Sequence, residues 1–269
     1  MPATLQALTF GTGLALISLS LLRRRLPRRP NARGHTIPTA SGTVFVPIIL
    51  TTVVLVAAGW LPAGPVGLGY LAYALAAAAV GLADDVWGGA GDRGVKGHLL
   101  ALLRGRVTTG ALKVLVLGGG AVLLGVGMFG FGVWGVLAAV LLAGSTNLAN
   151  LFDVRPGRAL KFVGVPVVAL LFLVPGAAAL LVLPLVGGAV GLFYFDLRGR
   201  IMLGDTGAAV YGSVLGYLVL AAGPGPEWVV ALAAVLGLTA LAEVSSISRL
   251  IEKVGVLRRF DLLGRGSVE

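Results

Sequence analysis

The feature that most constrains the fold of this chain is a set of four long stretches that lack basic residues. Each is about 34 to 41 residues long, and they lie at roughly 43–83, 114–152, 162–195 and 206–242. A helix that crosses the hydrocarbon core of a bilayer needs about 20 residues. Each stretch is therefore too long for one crossing and about right for two, which predicts four helical hairpins that leave and return to the same side.

Helix-breaking residues near the middle of each stretch support these hairpins. They fall at Pro62 to Pro65, Gly127 to Gly132, Pro175–Gly176 and Gly223 to Pro226. Residues 1–22 are also apolar and lack a basic leader, so we expect an uncleaved first span with its N-terminus outside rather than a signal peptide. The sequence thus predicts an all-α integral membrane protein with about nine transmembrane helices, as a single polytopic domain over residues 1–269.

The distribution of charge agrees with this prediction and predicts how the helices are oriented in the membrane. Only 12% of the residues are charged, whereas a typical soluble domain has about 25%. All 21 basic residues fall on one predicted face, which the positive-inside rule makes cytoplasmic, and the C-terminus shares that face. The arginines of residues 23–29 could suggest nucleic-acid binding, but such a cluster beside a span more often attracts anionic lipid, so we expect no nucleic-acid partner.

The same composition disfavours ion-coupled transport and excludes cysteine chemistry. Ion-coupled transporters usually keep ionisable groups near the bilayer midplane, and no acidic or basic residue falls in the middle of a predicted span. The chain also contains no cysteine, which excludes disulfides and thiolate metal sites. The polar residues at the predicted cytoplasmic ends of the helices are therefore the candidates for a functional site.

Three carboxylates at these ends predict a site for a metal-bound phosphate. Asp84 and Asp85 are adjacent where the first hairpin ends, and Asp205 begins the last one. A divalent cation would relieve their mutual repulsion, and all-oxygen ligation suits Mg²⁺ or Mn²⁺, with substrate phosphates completing the shell. Gly204 and Gly207 allow close approach at a helix N-terminus, which favours anions. Alternatively, any one of these acids could simply cap a helix at the interface.

Polar and basic residues of the third cytoplasmic segment also point to an anionic ligand. Asn147, Asn150 and Asp153 are three residues apart and lie on one side of a helix that continues by a turn. Three residues that could hold anionic oxygens follow directly: Arg155, Arg158 and Lys161. The positive-inside rule explains these three basic residues about as well as a binding site does.

In combination, these motifs resemble a known family, the polyprenyl-phosphate N-acetylhexosamine-1-phosphate transferases, which include phospho-N-acetylmuramoyl-pentapeptide transferase. That family has an Asp-Asp pair after a span, a later N-x-x-N-x-x-D segment and a G-D-x-G motif that opens another span. This chain has GLADD, NLANLFD and LGDTG in the same order. Its IPTASG segment, which contains Thr39, is similar to the family's Pro-Thr-x-Gly-Gly element. The resemblance covers roughly residues 30–265.

The resemblance implies transfer of a sugar-1-phosphate from a UDP-sugar to undecaprenyl or another polyprenyl phosphate, with release of UMP, in cell-envelope glycan synthesis. The active site would lie on the cytoplasmic face of the plasma membrane, and the assembly could be a homodimer. The implied catalytic residues are Asp84, Asp85 and Asp205, with Asp205 and Asp85 as ligands of Mg²⁺. By the same resemblance, Asn147, Asn150 and Asp153 would face the nucleotide, and Lys113 or Lys96 could reach a phosphate. The expected substrate-binding residues also include Thr39 and the three basic residues Arg155, Arg158 and Lys161.

The chain departs from the family's pattern in several respects, three of which concern motifs. The Asn-rich segment continues as DVRPG instead of D-G-x-D-G, Met202 stands where an aromatic residue commonly stacks on uracil, and no histidine follows His98, although a His-rich motif is usual in the last loop. Basic residues of that loop could bind a diphosphate instead: Arg249, Lys253, Arg258 and Arg259. The departures leave open a non-catalytic relative that binds polyprenyl phosphate or a nucleotide-sugar as a scaffold or regulator.

Overall fold

Almost all of the regular structure is α-helical in a computed structural model that describes residues 2–30, 34–64, 66–88 and 108–265. The helices are α1 (Ala3–Leu22), α2 (Phe45–Ala57), α3 (Gly67–Trp87), α4 (Thr109–Phe129), α5 (Val133–Phe152), α6 (Arg158–Leu171), α7 (Gly176–Leu197), α8 (Gly204–Ala222), α9 (Pro226–Val244), α10 (Ile247–Lys253) and α11 (Gly255–Leu262). Strands β1 (Arg28–Pro30) and β2 (Thr36–Pro38) form an antiparallel pair, and a 3-10 helix (Ser41–Val44) leads into α2.

Six of the described helices are long and apolar enough to cross a membrane, namely α1, α3, α4, α5, α7 and α8. The number becomes seven if α9 and α10, which meet at an angle of 104°, form one broken span. The prediction of an all-α membrane protein is confirmed at this level. Helices α2 and α6 have only 13 and 14 residues, fewer than the roughly 20 that a simple crossing needs, so the nine spans and their orientation stay predictions.

Each of the four apolar stretches contains two helices, and the helix breaks lie at or beside the predicted turns. The described residues of these breaks are 58–64 and 66, 130–132, 172–175 and 223–225. Local glycine and proline residues account for these breaks, because proline lacks an amide donor and glycine adopts turn conformations at little cost. The consequence is that α3, α5 and α7 end where α4, α6 and α8 begin, at what we call the polar end of the bundle.

Helix α8 lies at the centre of the bundle. All of its residues from 206 to 220 are buried, and it packs against α3, α5, α6 and α7. Close helix packing of this kind is typical of membrane proteins in which small residues line the interfaces. Because α8 begins with Gly204 and Asp205, its polar start lies among the ends of the surrounding helices.

A short backbone pairing fixes the chain that enters α8. The amide of Met202 donates to the carbonyl of Pro38 (2.9 Å), and the amides of Ser41 and Gly42 donate to the carbonyls of Met202 (3.1 Å) and Leu203 (2.9 Å). These hydrogen bonds join the segment after β2 to the loop before α8. They hold the residues that lead into α8 against the segment that runs from the end of β2 to the start of the 3-10 helix.

Candidate active site

Side chains from three helices meet at the polar end around the ammonium group of Lys113. Its Nζ atom lies 3.1 Å from Oδ2 of Asp84, at the end of α3, and 2.9 Å from Oδ2 of Asp205, at the start of α8. The three side chains remain partly open to solvent, with exposed fractions of 15% for Lys113, 23% for Asp84 and 35% for Asp205. Two carboxylates therefore share one cation at a position that a ligand can reach.

The other member of the acidic pair, Asp85, has a different environment from Asp84. Its Oδ1 atom accepts a hydrogen bond from the amide of Asp205 (2.9 Å), and its Oδ2 atom accepts from the amide (3.0 Å) and hydroxyl (2.6 Å) of Thr206. Helix α8 has no side-chain cap of its own at Leu203. Asp85 thus satisfies the free amides at the start of α8 and places a negative charge at the positive end of its dipole.

Two glycines permit this close contact between α3 and α8. A Cβ atom on Gly81 would lie 2.6 Å from the backbone of both Asp205 and Thr206. A Cβ atom on Gly204 would lie 2.7 Å from the carboxylate of Asp85, and the φ angle of Gly204 is 75°, which side chains rarely adopt. The glycines of GLADD and LGDTG therefore bring the two acidic segments together. We call Asp84, Asp85, Asp205 and Lys113 the carboxylate cluster.

The Asn-rich segment lies beside this cluster at the end of α5. Asn147 is exposed, whereas Asn150 is half-buried and its buried Oδ1 atom has no hydrogen-bond partner among the described residues. Asp153 is half-buried just beyond the helix. Burial, followed by the nearby charge of Asp196, raises the pKa of Asp153 well above its usual value.

Arg158, which the sequence predicts to hold anionic oxygens, binds the C-terminal part of the chain. It is fully buried, and its Nε and Nη2 atoms donate to the two carboxylate oxygens of Asp261, each at 2.8 Å. Its Nη1 atom donates to the hydroxyl of Ser248 at 2.7 Å. Arg265 also donates to Asp261, at 2.6 Å. All three kinds of nitrogen on Arg158 therefore have partners within the protein, and its role as a phosphate ligand stays a prediction.

Lys161 and Arg155 also have partners in the C-terminal segment. The ammonium of Lys161 donates to three carbonyls at the end of α11, those of Phe260, Asp261 and Leu263. A cation at this position satisfies free carbonyls and interacts favourably with the helix dipole. Arg155 is exposed and forms an ion pair with Glu252 at 2.5 Å. We call Arg158, Lys161, Asp261 and Arg265 the C-terminal cluster.

The remaining predicted positions are placed as follows. Thr39 is buried, and its amide (2.8 Å) and hydroxyl (3.1 Å) both donate to the carbonyl of Pro27, so it fixes the turn into β1. Lys96 lies outside the described residues. Met202 is half-buried in the loop before α8. The four basic residues of the last loop are exposed, namely Arg249, Lys253, Arg258 and Arg259.

Sequence reasoning missed Thr109 as a member of the site. Its hydroxyl donates to Oδ1 of Asp84 at 2.5 Å, on the side of that carboxylate away from the lysine contact. Thr109 and Lys113 are four residues apart at the start of α4, so they share one face of the helix. That spacing was the available signal, but nothing in the local sequence identifies the partner on α3.

The donor set fits a magnesium ion that takes part of its shell from a substrate. Among the residues that the structure describes, no group of three or more His, Cys, Asp or Glu side chains forms a complete metal site. Asp84 and Asp205 nevertheless converge on one point, the ammonium group of Lys113. In enzymes of phosphate chemistry, Mg²⁺ commonly binds one or two carboxylates and completes its shell with water and substrate phosphates. Asp85 fits less well than predicted, because its oxygens already accept three hydrogen bonds.

Neither a model of a known protein family nor a curated protein matches this chain.

Proposed function

We propose that the chain is a membrane phosphoglycosyltransferase, which transfers a sugar-1-phosphate of the N-acetylhexosamine class from a UDP-sugar to polyprenyl phosphate and releases UMP. The observation that carries the proposal is the contact of Lys113 with both Asp84 and Asp205, since it joins three separate helices at one end of the bundle. The ordered motifs GLADD, NLANLFD and LGDTG support the same assignment. We further propose that this end faces the cytoplasm at the plasma membrane.

The reaction joins two anionic reactants, so charge neutralisation is its main requirement. An oxygen of polyprenyl phosphate attacks the phosphorus that bears the sugar. The bond from this phosphorus to the oxygen that bridges the two donor phosphates breaks, and the electron pair leaves with UMP. A magnesium ion held by Asp84 and Asp205 would, when bound, polarise the phosphate oxygens and neutralise their charge.

Each of the other site residues would have its own role in the reaction. Lys113 would donate hydrogen bonds to phosphate oxygens from its position at the carboxylate cluster, and Thr109 holds the orientation of Asp84. Asp85 fixes the start of α8 and therefore the position of Asp205. Asn150, whose Oδ1 atom lacks a partner among the described residues, accepts a hydrogen bond from the nucleotide.

An apolar groove that reaches the polar end of the bundle supports a long-chain lipid as the acceptor. It has a volume of about 540 Å³ and lies between α5, α6, α8 and α9. At one end it reaches Phe152 and Phe162, near the polar end of the bundle, and at the other it reaches Glu227 at the start of α9. A polyprenyl chain would lie along this groove with its phosphate at the polar end of the bundle.

A second candidate is a non-catalytic protein that binds polyprenyl phosphate or a nucleotide-sugar. One observation favours it: Arg158 and Lys161, two of the three basic residues predicted to hold phosphate oxygens, are occupied by partners within the chain. In that case the carboxylate cluster would bind a ligand without turnover.

The test is to incubate the purified protein with undecaprenyl phosphate, Mg²⁺ and a panel of UDP-sugars, and then to measure UMP and identify the lipid product. The proposal expects UMP and a lipid-linked sugar diphosphate with at least one donor, and no UMP when Mg²⁺ is chelated. No product with any donor, in a protein that still binds undecaprenyl phosphate or a UDP-sugar, would favour the second candidate.

A further inference from the structure

A pocket separate from the apolar groove lies at the polar end of the bundle. None of the residues of the carboxylate cluster lines it. It has a volume of about 450 Å³ and is bounded by the end of α1, by β2 and by the segment that joins α7 to α8. Four of its lining residues are arginines, namely Arg23, Arg24, Arg28 and Arg200. We call it the arginine pocket.

The charges of the arginine pocket are not neutralised by any acidic side chain among the described residues. None of its four arginines forms an ion pair with a carboxylate among the described residues. Arg28 donates to the carbonyl of Thr36, and the guanidinium of Arg200 lies 5.6 Å from the ring centre of Tyr194. Four positive groups around one cavity repel one another, and a bound anion would relieve that repulsion.

The rest of the pocket identifies what kind of anion it fits. Leu16 and Leu19 of α1 form an apolar wall below the arginines, and α1 is one of the helices suited to cross a membrane. Ile17 and Leu21 of the same helix are 59% and 70% exposed, so apolar surface continues outward from the pocket. A ligand that matches both parts carries a phosphate at one end and hydrocarbon at the other.

We propose that the arginine pocket binds an anionic bilayer phospholipid such as phosphatidylglycerol. Its phosphate would lie among the guanidinium groups, which match phosphate oxygens in a bidentate manner, and an acyl chain would lie against α1. Basic pockets between helices on the cytoplasmic side of a membrane are suited to such head groups. This site is independent of the proposed transferase function.

Lipid binding at this pocket would also bear on the start of α8. Pro38 and Ile201 line the pocket, and the carbonyl of Pro38 accepts the hydrogen bond from Met202 that holds the loop before α8. A lipid in the pocket would contact both sides of this backbone pairing. We therefore expect added phosphatidylglycerol to raise the thermal stability of the protein.

A pair of matched double variants tests the proposal on the full chain in detergent. Arg24→Gln with Arg200→Gln removes two charges from the pocket, whereas Arg25→Gln with Arg198→Gln removes two charges from the same segments without touching its lining. Arg198 is a close control, because it also lies over the ring of Tyr194, at 5.8 Å. Binding of phosphatidylglycerol is measured by native mass spectrometry, after circular dichroism has confirmed that each variant is folded.

We expect phosphatidylglycerol to bind about tenfold more weakly to the pocket variant, and the control variant to stay within about twofold of the wild type. An equal loss in both variants would show general attraction to surface charge and would overturn the proposal, as would no loss in either. Phosphatidylcholine with the same chains should bind more weakly than phosphatidylglycerol.

Competition experiments distinguish the possible sources of the phosphate. Displacement of phosphatidylglycerol by inorganic phosphate would show that another phosphate source occupies the pocket and would overturn the proposal. Tighter binding of undecaprenyl phosphate that depends on the same two arginines would overturn it for the same reason.

Discussion

Two charged clusters at the same end of the bundle differ in how completely their charges are satisfied. In the carboxylate cluster, Asp84 and Asp205 share the ammonium of Lys113 and stay partly open to solvent. In the C-terminal cluster, Asp261 accepts hydrogen bonds from Arg158 and Arg265 and is almost fully buried. The first arrangement has excess negative charge that a ligand can reach, and the second leaves little for a ligand to bind.

The comparison separates residues that act on a ligand from residues that hold the fold. The C-terminal cluster joins the start of α6 to α11, because Arg158 pairs with Asp261 and Lys161 contacts the last carbonyls of α11. Asp85 has a similar structural task within the carboxylate cluster, since it caps α8. We therefore expect variants of the two clusters to change different measurable properties.

The largest effect is expected for Arg158→Met in the C-terminal cluster. Removal of one partner of a buried ion pair costs about 3–5 kcal/mol, because the other charge stays buried. The variant should lower the thermal unfolding temperature and expose residues 254–265 to protease. Arg258→Met, at an exposed position on α11, is the control and should resemble the wild type. Unchanged protease resistance in Arg158→Met would contradict the anchoring role.

The second largest effect on stability is expected for Asp85 and distinguishes it from the adjacent Asp84. Asp85→Ala removes three hydrogen bonds at the start of α8 and should lower the free energy of unfolding by about 2 kcal/mol. Asp84→Ala, the matched variant one residue away, should lower stability less than Asp85→Ala, because Lys113 keeps its contact with Asp205, and should reduce UMP release. Thermal unfolding and turnover are measured on both proteins, and equal stability of the two variants would argue against the cap.

The third expected effect is a dependence of the C-terminal anchor on acid. Burial alone would raise the pKa of Asp261, but the hydrogen bond and charge of Arg158 outweigh it and hold this pKa below its usual value. The contribution of Asp261 to stability is therefore present above about pH 4 and is lost as the pH falls through its folded-state pKa.

Hydrogen exchange of α11, measured from neutral to acidic pH, checks this dependence. Protection should fall in acid in the wild type. In Asp261→Asn the protection should be weaker throughout and should change less with pH. The same acid response in both proteins would assign the titration to another group.

The smallest effect is expected for the surface ion pair between Arg155 and Glu252. Both side chains are exposed, by 42% and 47%, and such pairs contribute about 0.2–1 kcal/mol. Arg155→Ala should therefore change the unfolding temperature little, and high salt should remove even that change. A loss of UMP release in this variant would instead show that Arg155 leaves Glu252 to bind a substrate, as the sequence predicts.

Local signals allowed the helical class and the helix breaks to be predicted, whereas the partners of individual side chains could not be. The breaks beside Pro175 and at Gly223 follow from the residues themselves, because each disfavours helix continuation or favours a turn. The cap by Asp85 joins residues 120 positions apart, and Arg158 meets Asp261 across 103 positions. In sequence, Asp84 resembles Asp85 and Arg158 resembles its basic neighbours, so only the packed helices distinguish their environments.

The most direct test of the central claim compares turnover in Asp205→Asn and Glu252→Gln. Both variants remove one negative charge at the polar end, but only Asp205 contacts Lys113 in the carboxylate cluster. We predict that UMP release falls by about 10²–10³-fold in Asp205→Asn, a loss typical for one electrostatic contact in an active site, while both proteins stay folded. Glu252→Gln should release UMP at nearly the wild-type rate. Wild-type UMP release by Asp205→Asn would contradict the assignment of the carboxylate cluster as the active site.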